Sequence, residues 1–355
     1  MRKLFLLFAL AVGLLTSAST AMAQTVNMSR YITLTVTNGA AIELNFMAAV
    51  AGTPVRIVSG SNTQDITVGT NWIGRATYTA GSNTMTIYGD ITRFDCSGNG
   101  ANLTALDPSH NTQLKRLYCS SNSLSSLDVS NNTQLTILSC RDNKLNSLDI
   151  SHNTQLTMLS CYSNSLSSLD VSHNTQLKDL SCYSNQLTTL DISKNTNTKL
   201  TTLYCHSNNF TTATLDNIYC ALPDRTSETN GVIQPVENSS DPNHATVLAT
   251  NAANATAKNW KVQYYKKISD ITTTGSYDCS TAVAEATAEP ALTLYPNPVA
   301  DVLYLSATAR TIRIYNVYGI EVAHATDTDR IDVAHLPAGI YTVRADGTVA
   351  KMVKR

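Results

Sequence analysis

The sequence predicts a mainly β protein: a parallel-stranded solenoid with a β-rich cap at each end, followed by a small, separate C-terminal β-sandwich. Three observations lead there. A 21-residue pattern recurs through the middle of the chain. The segments on either side alternate apolar and polar residues with the period of half-buried strands. A stretch of small and acidic residues, 280–291, then sets off a last segment with its own alternation.

The repeat carries the most information, because self-similarity fixes architecture before any local propensity does. Residues 114–134 read LKRLYCSSNSLSSLDVSNNTQ, and 135–155 read LTILSCRDNKLNSLDISHNTQ. Residues 156–176 read LTMLSCYSNSLSSLDVSHNTQ, and 177–199 read LKDLSCYSNQLTTLDISKNTNTK. A looser first copy starts at Ile91 and a last, partial one at Leu200, giving six. The pattern L-x-x-L-x-C-x-x-N-x-L-x-x-L-D-V/I-S-x-N-T-x is a leucine-rich repeat with cysteine at one leucine position. Each L-x-x-L-x-C segment is expected to be a short strand stacked in parallel on its neighbours, about 4.8 Å apart, on the concave face. Leu117, Leu138, Leu159, Leu180 and Leu203 form one buried column, and Leu124, Leu145, Leu166 and Leu187 another. Asn99, Asn122, Asn143, Asn164, Asn185 and Asn208 recur just after the strand, where a buried amide satisfies backbone groups at the turn.

Six of the eight cysteines, Cys96, Cys119, Cys140, Cys161, Cys182 and Cys205, share one repeat position and read as buried, free thiols. Stacked side chains about 4.8 Å apart exceed the ~3.8 Å Cβ separation of a disulfide. A line of thiols does not converge tetrahedrally as zinc requires. Cys220 and Cys279 lie outside the ladder and are expected to pair, clamping the C-terminal cap.

Residues 1–23 read as a secretory signal peptide. Arg2 and Lys3 precede an apolar run from Leu4 to Leu15, and Ala21-Met22-Ala23 gives an A-x-A cleavage signature. No later stretch has the ~18 apolar residues of a spanning helix. The net charge of −1 leaves no basic footprint for nucleic acid or anionic membrane. Residues 24–90 are expected to form the β-rich N-terminal cap, with strands at Tyr31–Val36, Ile42–Phe46, Val55–Val58, Ile66–Val68 and Thr84–Tyr88. The solenoid is expected over 91–210. The C-terminal cap over 211–279 should hold a strand near Trp260–Tyr265 and an Ala-rich helical turn near Asn251–Lys258. Residues 280–291 read as a linker. The sandwich over 292–355 should use strands at Val302–Leu305, Ile312–Tyr315 and Ile340–Val343, with turns at Asn316, Gly319 and Pro337-Ala338-Gly339.

No catalytic constellation is visible. H-E-x-x-H, G-x-S-x-G, a phosphate loop and an acidic calcium loop are all missing, so no enzyme, cofactor or metal is expected. His110, His152 and His173 share a turn position and read as solvated. Asp107, Asp128, Asp149, Asp170 and Asp191 read as side-chain caps of successive turns. The residues flanking each buried Leu and Cys should face the concave sheet. Among them Arg116, Tyr118, Ile137, Arg141, Met158, Tyr162, Tyr183, Tyr204 and His206 form the candidate partner-binding face. Tyr and Arg are the types that dominate interface energetics, and Ile137 and Met158 are apolar where solvent favours polar residues. Tyr162, Tyr183, Tyr204, His206 and Met158 form its expected centre.

The tail carries Tyr295-Pro296-Asn297-Pro298, then Ile314-Tyr315-Asn316 to Gly319, then Leu336-Pro337-Ala338-Gly339-Ile340-Tyr341, and ends Lys351-Met352-Val353-Lys354-Arg355. In this order the motifs resemble the C-terminal sorting domain of the type IX secretion system of the Bacteroidota. The resemblance implies export across both membranes, engagement of that machinery, cleavage in the linker, and attachment to the surface or release. Residues 91–210 resemble the cysteine-bearing repeats of internalin J-like surface proteins, which speaks to fold more than to ligand. Together these readings lead to a secreted, surface-displayed protein. Its concave sheet would bind a protein or glycan partner in an adhesion or biofilm type of role. The alternatives are a structural surface-coat component, or an enzyme with an unrecognised site in the N-terminal cap.

Overall fold

A computed structural model describes residues 25–193, 199–279, 294–316, 320–345 and 348–355. The expected signal peptide 1–23, the linker 280–291 and Gly319 lie outside the described residues. The chain divides into two compact units, one ending at Asp278 and the other starting at Cys279.

The first unit opens with β1 (Tyr31–Val36), β2 (Ala41–Ala48), β3 (Thr53–Ser59), β4 (Asn62–Val68), β5 (Ala76–Thr79) and β6 (Thr84–Tyr88). β1 and β3 alternate buried with half-buried or exposed residues along most of their length, the pattern that predicts them. The repeats then supply β7 (Ile91–Asp95), β8 (Leu103–Asp107), β9 (Arg116–Tyr118), β10 (Ile137–Ser139), β11 (Met158–Ser160), β12 (Asp179–Ser181) and β13 (Thr202–Tyr204). α1 (Thr212–Ala221), β14 (Gly231–Val236), α2 (His244–Leu248), α3 (Ala253–Thr256) and β15 (Trp260–Tyr264) close the unit.

The sheet runs well beyond the repeats. Its ten strands lie in the order β15-β14-β13-β12-β11-β10-β9-β7-β2-β5. From β7 to β15 every pair is parallel, whereas β2 adds antiparallel to β7 and β5 antiparallel to β2. Both caps therefore extend the sheet and occupy its edges. β5, α1 and β14 carry no signal strong enough to predict from sequence. The first repeat is also split between two sheets. Its second half, β8, pairs antiparallel with β1 in the five-stranded sheet β4-β3-β6-β1-β8.

Each coil is held by ladders of repeated side chains. Leu117, Leu138, Leu159, Leu180 and Leu203 are fully buried, as are all six ladder cysteines, which are free. Desolvation raises the thiol pKa of each, to about 12 at Cys140 and Cys182. The asparagines after the strands stitch coil to coil. Asn122 Nδ2 donates to the Cys96 and Cys119 carbonyls, each at 3.0 Å, while its Oδ1 accepts from the Asn99 N–H at 3.0 Å. The same arrangement recurs at Asn185, which donates to the Cys161 and Cys182 carbonyls and accepts from the Leu166 N–H. A second column, Asn111, Asn132, Asn153 and Asn174, is fully buried on the return side. Asn132, Asn153 and Asn174 each donate to two carbonyls of the preceding coil. The repeated Asp128, Asp149, Asp170 and Asp191 accept from the N–H two residues on, at 2.8–2.9 Å.

The residue before each post-strand asparagine takes a left-handed conformation: Ser121, Asp142, Ser163, Ser184 and Ser207 all have φ between 53° and 55°, and Gly98 stands there in the first repeat at 83°. Small polar residues and glycine tolerate that region, which explains the repeat's preference there. At the rear, Gly231 presses flat on the Trp260 indole, where an added Cβ would come within 2.5 Å of the ring. Cys220, in α1, and Cys279 are both disulfide-bonded.

The second unit holds β16 (Leu294–Tyr295), β17 (Val302–Tyr315), β18 (Glu321–Asp332), β19 (Gly339–Ala345) and β20 (Thr348–Lys354). β17 pairs with β16, β18 and β19, and its pairing with β18 shifts register between Tyr304 and Ala309. These strands surround a core of their own, including Val299, Leu303, Ile312, Ile314, Val343 and Met352, all fully buried.

Candidate functional site

Strict stacking places three columns of side chains on the open face of the long sheet. The first runs in register from Arg93 through Arg116, Ile137, Met158 and Asp179 to Thr202. The second runs Asp95, Tyr118, Ser139, Ser160, Ser181 and Tyr204. The third follows the cysteines: Ser97, Ser120, Arg141, Tyr162, Tyr183 and His206.

The third column is a continuous stack. The Arg141 guanidinium lies 5.4 Å from the Tyr162 ring centre and pairs with Asp142 at 2.6 Å. Tyr162 and Tyr183 stack at 4.1 Å and 13°, and Tyr183 stacks on His206 at 4.3 Å and 17°. These spacings approach the strand repeat itself, so the rings turn their faces to one another and their edges outward. Burial, together with hydrogen bonding to the Tyr265 and Tyr162 side chains that favours the protonated hydroxyl, raises the Tyr183 pKa.

Tyr265, just beyond β15, closes the rear of this face. Its ring lies 4.6 Å from His206, 5.4 Å from Tyr183 and 5.8 Å from Tyr204. His206 is only 3 % exposed as a result, and burial lowers its pKa to about 4. His206, expected at the centre of the partner-binding face, is thus the buried end of the stack, packed against Tyr183 and Tyr265. Tyr183 and Tyr204 also spend part of their surface on Tyr265.

The front of the face is more open. Trp72, in the loop between β4 and β5, is 38 % exposed and stands edge-on to Tyr118 at 6.0 Å. Arg75, from the same loop, pairs with Asp95 at 3.1 Å and donates to the Ser97 carbonyl at 2.7 Å. Met158 is 39 % exposed and neighbours half-buried Ile137 in register. Neither Trp72 nor Tyr265 was among the expected site residues. Their sequence signals are faint: a Trp-Ile pair inside a Gly- and Asn-rich turn, and a Tyr-Tyr-Lys-Lys run.

Among the described residues no group of three or more His, Cys, Asp or Glu is placed to hold a metal ion. His110 stacks on Tyr31 at 4.2 Å. Exposed His173 lies beside the Ser172 hydroxyl at 3.2 Å, and His152 is likewise exposed.

In the second unit the sorting motifs have structural work to do. Asn297 Nδ2 donates to the Lys351 carbonyl and its Oδ1 accepts from the Val353 N–H, which ties Tyr295-Pro296-Asn297-Pro298 to β20. Both X–Pro bonds of that motif are cis. Tyr295 stacks on Tyr304 at 5.7 Å. The Tyr341 hydroxyl donates to the Pro337 carbonyl at 2.8 Å, closing the Pro337-to-Tyr341 turn that contains Gly339.

Residues 293–355 match the secretion system C-terminal sorting domain. No curated protein matches the chain. Similar solved structures include the functional domain of InlJ from Listeria monocytogenes, which includes a cysteine ladder. That match has 21 % identity over 75 % of this chain and 67 % of that one, with a TM-score of 0.38. An internalin, InlF, of Listeria monocytogenes shares 30 % identity over 29 % of this chain and 32 % of its own, at a TM-score of 0.28. A leucine-rich-repeat protein of Leptospira interrogans shares 19 % over 47 % and 38 %, at 0.29. The chain thus spans about a third of the length of each of these last two. Among the described residues no helix is long and apolar enough to cross a membrane. The stacked repeats thus form a leucine-rich-repeat solenoid, and the sorting domain at residues 293–355 indicates export and attachment at the cell surface.

Proposed function

We propose that the exported protein is a non-catalytic binding protein that holds a macromolecular partner on the open face of its long sheet, in an adhesion or biofilm type of role. The observation that carries this reading is the pair Ile137 and Met158. Two apolar side chains stand side by side on an exposed strand surface, with Tyr and Arg around them. Stacked repeats support such a role physically, because they offer a preformed surface with little ordering cost on binding. The expected signal peptide at residues 1–23 would start the export route that the sorting domain completes.

The test uses the purified protein and a Met158→Glu variant, on panels of extracellular-matrix proteins, host epithelial cells and bacterial surfaces. Met158 is exposed, so the variant should keep the circular dichroism of the parent. Partner binding by the parent with loss in the variant supports the reading. Equal binding by both moves the contact to another surface. Self-association of both without any foreign partner points instead to a structural coat.

A further inference from the structure

The first column of the open face has a polarity that the repeat pattern does not require. Arg93 and Arg116 sit in register on β7 and β9, followed by Ile137, Met158 and then Asp179. Two like charges side by side on adjacent strands repel. Among the described residues neither arginine is paired with a carboxylate. The Arg93 guanidinium donates to the Met47 sulfur at 3.4 Å, and nearby Asp95 is taken up by Arg75. A protein gains nothing in its own stability from such a pair. Its chemistry fits an anionic group arriving from outside, held by two forked donors.

We propose that this column binds an extended protein segment with an acidic residue at one end and apolar residues next to it. Resting on the concave-face reading above, the proposal narrows the partner's class. The carboxylate seats on Arg93 and Arg116, neighbours in register on β7 and β9. The apolar side chains lie on Ile137 and Met158, and Asp179 favours a neutral or basic residue beyond them. From Arg93 to Asp179 the column covers four strand spacings, roughly 19 Å, the reach of about six extended residues. A glycan fits less well. Sugars pack their C–H faces on exposed aromatic faces, and here Tyr162 and Tyr183 cover each other's faces at 4.1 Å.

The experiment probes the full-length protein with an array of ten-residue peptides of graded acidic, apolar and basic order, beside immobilised polygalacturonate as an anionic glycan. The expected result is retention of acidic–apolar peptides, with Gln-for-Glu peptides bound about tenfold more weakly. An Arg93→Gln/Arg116→Gln variant should lose that preference by a similar factor while melting no lower than the parent, since a repulsive pair is removed. Equal binding of acidic and neutral peptides, retention of polygalacturonate in place of peptides, or no peptide retained at all would each overturn the proposal. The two readings separate cleanly. If Met158→Glu abolishes capture of a natural partner and the arginine variant does not, the open face binds but the acidic anchor is wrong.

Discussion

The ring of Tyr183 lies flat on that of His206, with centroids 4.3 Å apart and planes at 17°. Tyr265 packs against both rings, 4.6 Å from the imidazole and 5.4 Å from Tyr183, so the last repeat and the cap share one aromatic cluster. Burial favours the neutral imidazole there and lowers the His206 pKa to about 4, against the opposing pull of Glu237 and Asp241.

That burial sets a pH dependence. An unfolded histidine titrates near 6.5, so between about 6.5 and 4 the unfolded chain binds a proton that the folded chain refuses. Stability is therefore full above pH 6.5 and falls as pH drops towards 4, by roughly 3 kcal/mol from this group. Urea titrations between pH 7.5 and 4 should show a steeper decline for the parent than for His206→Gln. Parallel slopes would mean that the imidazole titrates freely.

The post-strand asparagines should be indispensable structurally. Asn185→Ala leaves the Leu166 N–H without its acceptor and takes one of two amide donors from each of the Cys161 and Cys182 carbonyls, which keep Asn164 and Asn208. Each buried unpaired group costs on the order of 1–3 kcal/mol. A loss of about 1–3 kcal/mol in chemical denaturation is expected, and a change below about 0.5 kcal/mol would refute the stitching role.

The cysteine ladder should be chemically silent in the folded state. The thiols are fully buried and desolvation raises their pKa values, to about 12 at Cys140 and Cys182. Iodoacetamide at pH 8 should leave all six unmodified until denaturant is added, as read by intact mass. Labelling of any ladder cysteine under native conditions would show a coil that opens locally.

The left-handed turn position should discriminate by backbone freedom. Ser163 has φ 53°. Ser163→Gly is expected to match or slightly exceed the parent's stability, while Ser163→Val should cost about 1–2 kcal/mol. Thermal melts of the two variants measure the difference directly, and equal melting would remove strain as the reason for small polar residues there.

Much of this protein was determined by its sequence alone. A 21-residue period with four leucines, one cysteine and two asparagines at fixed positions admits few other structures, because each repeat buries its apolar edge only by stacking on the next. The buried columns, the thiol ladder and the turn aspartates follow from that period. The sorting motifs were legible for a related reason: Asn297 and Tyr341 act through local or fixed-register backbone contacts. Tertiary structure alone decided which side chains of the open face remain available. Tyr265 and Trp72 come from the caps, outside any periodicity, and they bury His206 at one end while flanking Tyr118 at the other. Only the antiparallel docking of β2 on β7, and of β8 on β1, reveals how far the sheet extends and that the first repeat is shared. A repeat pattern encodes contacts between successive coils; it carries no information on what folds back across them.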